Sequence, residues 1–165
     1  MEIYKFNYLN RGGLAKIYAF NLKAVRYLKR NYRTKGWYLK LWSNLPVDAF
    51  VIEIPVLTQG FSWNENSVFD EKGKFYEVSI NGILPKCSAD NEEIIHLLEH
   101  DKWLVLSQDN NGELRLSGSD DTLLIFRSGK STGDAATSMN GNSFSFSGQT
   151  LQNSLYIEDF MLSDL

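Results

Sequence analysis

A chain of 165 residues with 43% hydrophobic and 13% aromatic side chains can bury a core without staples, which excludes a disordered or disulfide-dependent protein. The single cysteine, Cys87, permits no intramolecular disulfide, and no run of about 18 apolar residues offers a membrane span. The formal charge of −3 hides a partition: residues 1–45 hold ten of the 17 Lys and Arg and one acid, a local +9, whereas the rest carry seven basic and 19 acidic groups, a local −12. Copies of such a chain can attract basic face to acidic face. The basic part can instead meet nucleic acid, or the two charges can balance within one molecule.

Met1–Asn10 has no long apolar stretch and no small-residue cleavage site, so it does not read as a signal peptide, and a soluble setting is expected. After the Gly12-Gly13 turn, Leu14–Phe20 reads as a strand with Leu14, Lys16, Tyr18 and Phe20 on one face. Leu22, Val25 and Leu28 lie three apart behind Asn21, a good N-cap, so Asn21–Asn31 reads as a short helix or an irregular connection. The basic stretch Lys29–Lys35 is expected at a loop tip or hairpin end, and Gly36–Trp42 as a strand. Val47–Leu57 reads as a further strand, at an edge or ending near Ile54 because of Pro55.

Phe61–Val68 and Phe75–Leu84 form the arms of a predicted hairpin turning at Asp70-Glu71-Lys72-Gly73, with Tyr76, Val78 and Ile80 on its buried face. The clearest helix is predicted over about residues 91–100. Asp90 is its expected N-cap, with Glu93 completing a capping box and Ile94, Ile95, Leu97 and Leu98 making one apolar stripe. Trp103–Ser107 and Glu113–Ser117 pair around Asp109-Asn110-Asn111-Gly112, a strong turn signal. Leu123–Arg127 reads as a strand, Gly129–Asn142 as a loop, Ser143–Gln149 as an alternating strand, and Leu155–Phe160 as a closing strand or a docked tail. Eight to ten short strands and one firm helix predict a mainly β fold: a β-sandwich or half-barrel with one flanking α-helix. No repeat or linker divides the chain, so residues 1–165 read as one domain, with 1–45 as an arm or interface region.

The sharpest chemical motif is His96-Leu97-Leu98-Glu99-His100, which fits the H-x-x-E-H pattern of some zinc peptidases. Imidazoles four apart share a helix face, and the intervening Glu can serve as a base. These are the only histidines, the helix is short, and cationic side chains suit a helix C-terminus in any case, so no catalytic residue, metal or cofactor is assigned. Gly129-Lys130-Ser131-Thr132 ends like a phosphate loop, but Leu124 stands where the first glycine belongs. Asp109–Glu113 begins like a calcium loop, yet the later glycine and glutamate are misplaced. Trp37, Tyr38 and Trp42 interleave with Lys35 and Lys40, a pattern that suits core and interface packing or a platform for bases or sugars.

Several motifs are distinctive in their order and spacing. They are Gly12-Gly13 with Lys16-Ile17-Tyr18, Gly73 with Phe75-Tyr76-Glu77-Val78-Ser79-Ile80, and Leu84-Pro85-Lys86 before the helix. Trp103-Leu104-Val105-Leu106, Asp109-Asn110-Asn111-Gly112, Arg115-Leu116-Ser117-Gly118, Thr132-Gly133, Asn140-Gly141 and Phe144-Ser145-Phe146 follow. In order and spacing these motifs resemble a family of phage and prophage structural proteins of Bacteroides-type bacteria; the run covers about residues 11 to 148, and each piece alone is strand or turn chemistry. The basic first 45 residues depart from the family pattern.

The resemblance implies a non-enzymatic tail or head–tail neck component of the virion, made in the bacterial cytoplasm. It implies a homo-oligomeric ring, hexameric by family analogy, joined to other tail or neck proteins, with DNA passing through its lumen and no membrane partner. Interface candidates on this reading are Lys29, Arg30, Arg33, Lys35, Trp37, Trp42, Lys72, Lys130 and Thr132. The alternative is a β-sandwich binding module for nucleic acid or glycan.

Overall fold

The computed structural model describes residues 12–33, 36–41, 45–56, 60–85, 89–131 and 141–162. The chain is mainly β. Its elements are β1 (Leu14–Asn21), α1 (Leu22–Val25), β2 (Leu28–Arg33), β3 (Gly36–Leu41), β4 (Val51–Ile54), β5 (Ser62–Asp70) and β6 (Gly73–Pro85). They continue with α2 (Ala89–Glu99), β7 (Lys102–Asp109), β8 (Leu114–Ser117), β9 (Leu124–Ser131), β10 (Gly141–Thr150) and β11 (Leu155–Leu162).

The strands form one open hydrogen-bonded network, ordered β2-β3-β11-β8-β7-β9-β10-β6-β5, with β1 beside β7 and β4 beside β1. Every pairing is antiparallel except β11 with β3. β7 meets β9 only where Lys102 and Trp103 face Ile125 and Leu124, and the network turns there. β5 and β8 stand five places apart in the order. A flat sheet would separate them by roughly 24 Å. Yet Trp63 Nε1 of β5 donates to Ser117 Oγ of β8 at 3.0 Å. The sheet therefore folds over on itself, as a sandwich or half-barrel does, with α2 on its flank.

Between the two layers lies a core of Ile17, Ala19, Val78, Ile80, Trp103, Val105, Phe126, Phe144, Phe146 and, from α2, Ile95 and Leu98. Tyr18, Phe20, Leu104, Leu106, Leu116 and Ile157 form a second cluster, closed by Ala24 and Val25 of α1. Strands β1 and β7 supply side chains to both clusters. That is why Ile17-Tyr18-Ala19-Phe20 and Trp103-Leu104-Val105-Leu106 are continuous apolar runs rather than alternating ones: both faces of these strands are covered.

Several boundaries differ from the sequence reading. Leu14 packs with Ile17 and Ala19 rather than with Tyr18 and Phe20, because a register shift between Leu14 and Lys16 inserts a bulge. Asn21 is an N-cap as expected, its Oδ1 accepting from Ala24 N at 3.0 Å, but α1 is only four residues and Leu28 already belongs to β2. The same Oδ1 accepts from Phe50 N, so the cap also anchors the turn before β4. Of the two readings for Lys29–Lys35, hairpin end holds: Lys29–Arg33 are strand, paired with β3 up to Arg33 opposite Gly36, and positions 34 and 35 lie outside the described residues. The predicted strand over 47–57 shrinks to β4; Ala49 N bonds Pro46 O and leaves Val47 in an exposed turn. β4 pairs only with β1 and stops at Ile54, as Pro55 requires.

Helix α2 begins at Ala89, so Asp90 lies inside its first turn and is not the N-cap; position 88 lies outside the described residues. Its apolar stripe is narrower than expected. Ile95 and Leu98 are buried, whereas Ile94 and Leu97 are 42% and 40% exposed. Gly129–Ser131 and Gly141–Asn142, expected in a loop, extend β9 and β10, and pair across the two strands. The Asp70–Gly73 and Asp109–Gly112 turns form as predicted, with Gly73 and Gly112 at φ of 121° and 90°.

The core predicts a sharp penalty at Gly82 on β6. A Cβ there would sit 2.5 Å from Phe61 Cδ1 and 2.7 Å from Phe144 Cε1, both rings buried. Gly82→Ala should cost about 1–3 kcal/mol in urea unfolding, because rigid rings cannot yield as a flexible side-chain tip would. Gly73→Ala meets no neighbour and tests the contrasting cost of a positive φ alone.

Candidate assembly edges and the polar junction between layers

The two ends of the strand order are β2 and β5. Among the described residues, each is hydrogen-bonded to a neighbour on one side, β2 to β3 and β5 to β6. Their charges are opposite. β2 carries Lys29, Arg30 and Arg33 and no acid; β5 carries Glu65 and Asp70 and no base. On the β2–β3 hairpin Lys29 is registered directly opposite Lys40, and Tyr32 opposite Trp37.

The nine candidate interface residues separate into groups. Lys29, Arg30, Arg33 and Trp37 come together on the β2–β3 hairpin. Lys35, Trp42 and Thr132 lie outside the described residues. Lys72 sits in the exposed β5–β6 turn, its backbone N–H donating to Asp70 Oδ1 at 2.8 Å, beside Phe69, which is 80% exposed. Lys130 of β9 forms an ion pair with Glu92, and Ser128 of the same strand donates to Glu99 Oε1; both contacts hold α2 to the sheet.

A second cluster was not legible in the sequence. Asp109, at the end of β7, accepts from the backbone N–H of Asn111 at 2.9 Å and of Glu113 at 3.0 Å. Arg115 Nη1 reaches its other oxygen at 2.9 Å. The Arg115 guanidinium lies 4.9 Å from the Trp63 ring and 5.3 Å from that of Tyr156, so aromatic faces from β5 and β11 enclose it. From Trp63 the chain of contacts runs to Ser117, then Ser154 at 3.0 Å, whose backbone N–H donates to Glu65 Oε2 at 2.7 Å. β5 is thereby bound to β8 and to Ser154, the residue that precedes β11.

Burial by itself would raise the Asp109 carboxyl. The hydrogen bond from Arg115, those from the two amides, and the Arg115 charge outweigh it and hold the group below the ordinary aspartate range. Burial likewise opposes the charge on Arg115, but hydrogen bonds to Tyr156 and Asp109 raise its affinity for the proton. Chemically the arrangement is a charge-neutralised joint between the two layers, in which the buried Arg115 Nε has no hydrogen-bond partner. Tyr18 is also shifted upward, first by burial and then by Glu53, its register partner on β4.

The two histidines of the H-x-x-E-H motif are adjacent, with Nε2 atoms 3.1 Å apart and both rings exposed. Glu99 is turned away to Ser128. Among the described residues, no three His, Cys, Asp or Glu side chains converge on a metal position, and Cys87 lies outside those residues. No described helix is long and apolar enough to cross a membrane.

The fold and its edges define an open, folded-over antiparallel β-protein with a flanking helix. Comparison with protein-family models, characterised proteins and solved structures gave no match.

Proposed function

We propose that this chain is a structural protein of a phage tail or head–tail neck, assembling into rings through sheet pairing and charge-complementary contacts between copies. The observation that carries the reading is the opposite charge of the two terminal strands, β2 and β5. A strand edge presents backbone donors and acceptors, and pairing edges of opposite charge adds direction to that attraction. A basic edge meeting an acidic edge is a heterologous contact, which closes into a ring or propagates as a tube. The resemblance of the motif order to that of phage structural proteins supports the same reading. On it, Lys29, Arg30, Arg33 and Trp37 belong to the basic contact, while Lys72 and Phe69 mark a hairpin tip that reaches the next subunit. Other tail or neck proteins cap the ring, and the acidic remainder of the chain lines a lumen to which passing DNA does not adhere. The virion is then its final location.

The β2–β3 hairpin, with three cations in β2 and Trp37 and Tyr38 in β3, also supports a second reading as a nucleic-acid or glycan-binding module. Native mass spectrometry and negative-stain microscopy of the full chain at high concentration separate the two. Rings or tubes are expected, and the combined substitution of Arg30→Glu and Arg33→Glu should weaken assembly at least tenfold. A chain that stays monomeric at millimolar concentration while binding DNA or polysaccharide in a salt-dependent way would replace the first reading with the second.

A further inference from the structure

Independently of any assembly role, we infer that His96 and His100 form a two-point chelate for a divalent transition metal ion, Cu²⁺, Ni²⁺ or Zn²⁺. The positions are four apart, at the last turn of α2 and the residue just beyond it, so both side chains rise from one side of the helix end. Their Nε2 atoms are 3.1 Å apart, and the rings stand at 89° to each other with centroids at 4.2 Å. Metal–imidazole bonds are about 2.0–2.1 Å, so two nitrogens at this separation subtend an angle of about 98° at a shared ion. That lies between the roughly 90° of square-planar or octahedral ions and the roughly 109° of tetrahedral zinc, so little movement is needed for either.

Neutral imidazole is the ligand these ions share, whereas Mg²⁺ and Ca²⁺ prefer oxygen donors. At 3.1 Å one Nε2 donates its proton to the other. Metal binding requires lone pairs on both, which a shift of that proton to Nδ1 of the same ring supplies with no net proton change. The binding step is therefore addition of two nitrogen lone pairs to the ion, with no oxidation.

The surroundings make this a binding site rather than a hydrolytic one. Glu99, which would act as the base in the peptidase pattern, accepts a hydrogen bond from Ser128. Asp101 Oδ1 accepts from the backbone N–H of Lys102 at 2.8 Å. With two protein ligands the ion keeps its other positions for water or an incoming donor. Space for these exists beside His100, where Leu22, Glu99, Asp101, Lys102, Leu123 and Ile125 line a shallow cavity of about 420 Å³. A bound ion would also clip the end of the helix to the residue that follows it.

The test is titration of untagged, chelator-treated full-length protein with Cu²⁺, Ni²⁺, Zn²⁺ and Mg²⁺ by calorimetry, with electron paramagnetic resonance on the Cu²⁺ form. One Cu²⁺ per chain is expected, with nitrogen couplings from two imidazoles, tighter binding than for Ni²⁺ or Zn²⁺, and none for Mg²⁺. His96→Gln and His100→Gln should each weaken binding at least tenfold while leaving the unfolding midpoint of the metal-free protein unchanged, since both rings are exposed. Couplings from one imidazole or none in the wild-type protein would overturn the inference, whatever the variants do. So would variants that bind as the wild type does.

Discussion

Replacing Trp103 by alanine should destabilise the protein by about 3–5 kcal/mol. Trp103 is fully buried in the core between the layers. It also stands where the network turns, registered against Asn21 of β1 on one side and Leu124 of β9 on the other. Its Nε1–H donates to the Leu98 carbonyl at 2.8 Å, satisfying one of the acceptors that a helix C-terminus leaves open. Alanine removes the ring volume, opens a cavity and strands that carbonyl. Trp103→Phe keeps most of the volume and should cost less, about 1–3 kcal/mol, chiefly from the unpaired carbonyl. Urea unfolding of the three proteins measures both terms. Equal losses in the two variants would mean the hydrogen bond, and not the packing, holds this corner.

The second large effect concerns the Asp109–Arg115 joint. The Arg115 and Asp109 side chains keep only 14% and 12% of their exposure, so Arg115→Ala, which leaves the carboxylate with its two amide donors but no cation, should cost about 2–3 kcal/mol, less than breaking a fully buried pair. The aromatic faces of Trp63 and Tyr156 lose their cation in the same step. Asp109→Asn should also destabilise and, in addition, change the response to acid. The folded-state pKa of Asp109 lies below its unfolded value. Its contribution is therefore complete above about pH 5, declines as the pH falls below about 4, and is lost once the pH passes beneath the folded-state value. Stability curves between pH 7 and pH 2 should show the wild type and Asp109→Asn converging at the acid end. Curves that stay parallel would show that Asp109 does not carry this dependence.

Both effects arise at places that local sequence signals describe only in part. Asp109-Asn110-Asn111-Gly112 is legible as a turn because Gly112 takes a positive φ and the aspartate caps nearby amides, interactions that span four residues. That the same carboxylate also receives Arg115, and that Arg115 is roofed by Trp63 and Tyr156, depends on the sheet folding over. Trp63 is 52 residues from Arg115 in the chain, and no periodicity or spacing records the approach. The H-x-x-E-H motif shows the reverse. The sequence placed both histidines on one helix face, but only the fold showed Glu99 held by Ser128 of β9.

By itself, the sequence determined the mainly β character, the flanking helix, the two hairpin turns, the edge position of β4 and the uneven charge. Each of these is written in contacts between residues a few positions apart, or in a simple count. The tertiary structure decided which strands carry two buried faces and where the bulge after Leu14 reverses a face. It also decided why only Ile95 and Leu98 of the helix are covered, and which strands end the sheet. Those outcomes depend on what packs against each surface, and chain segments distant in sequence supply that surface once the sheet has closed over its core.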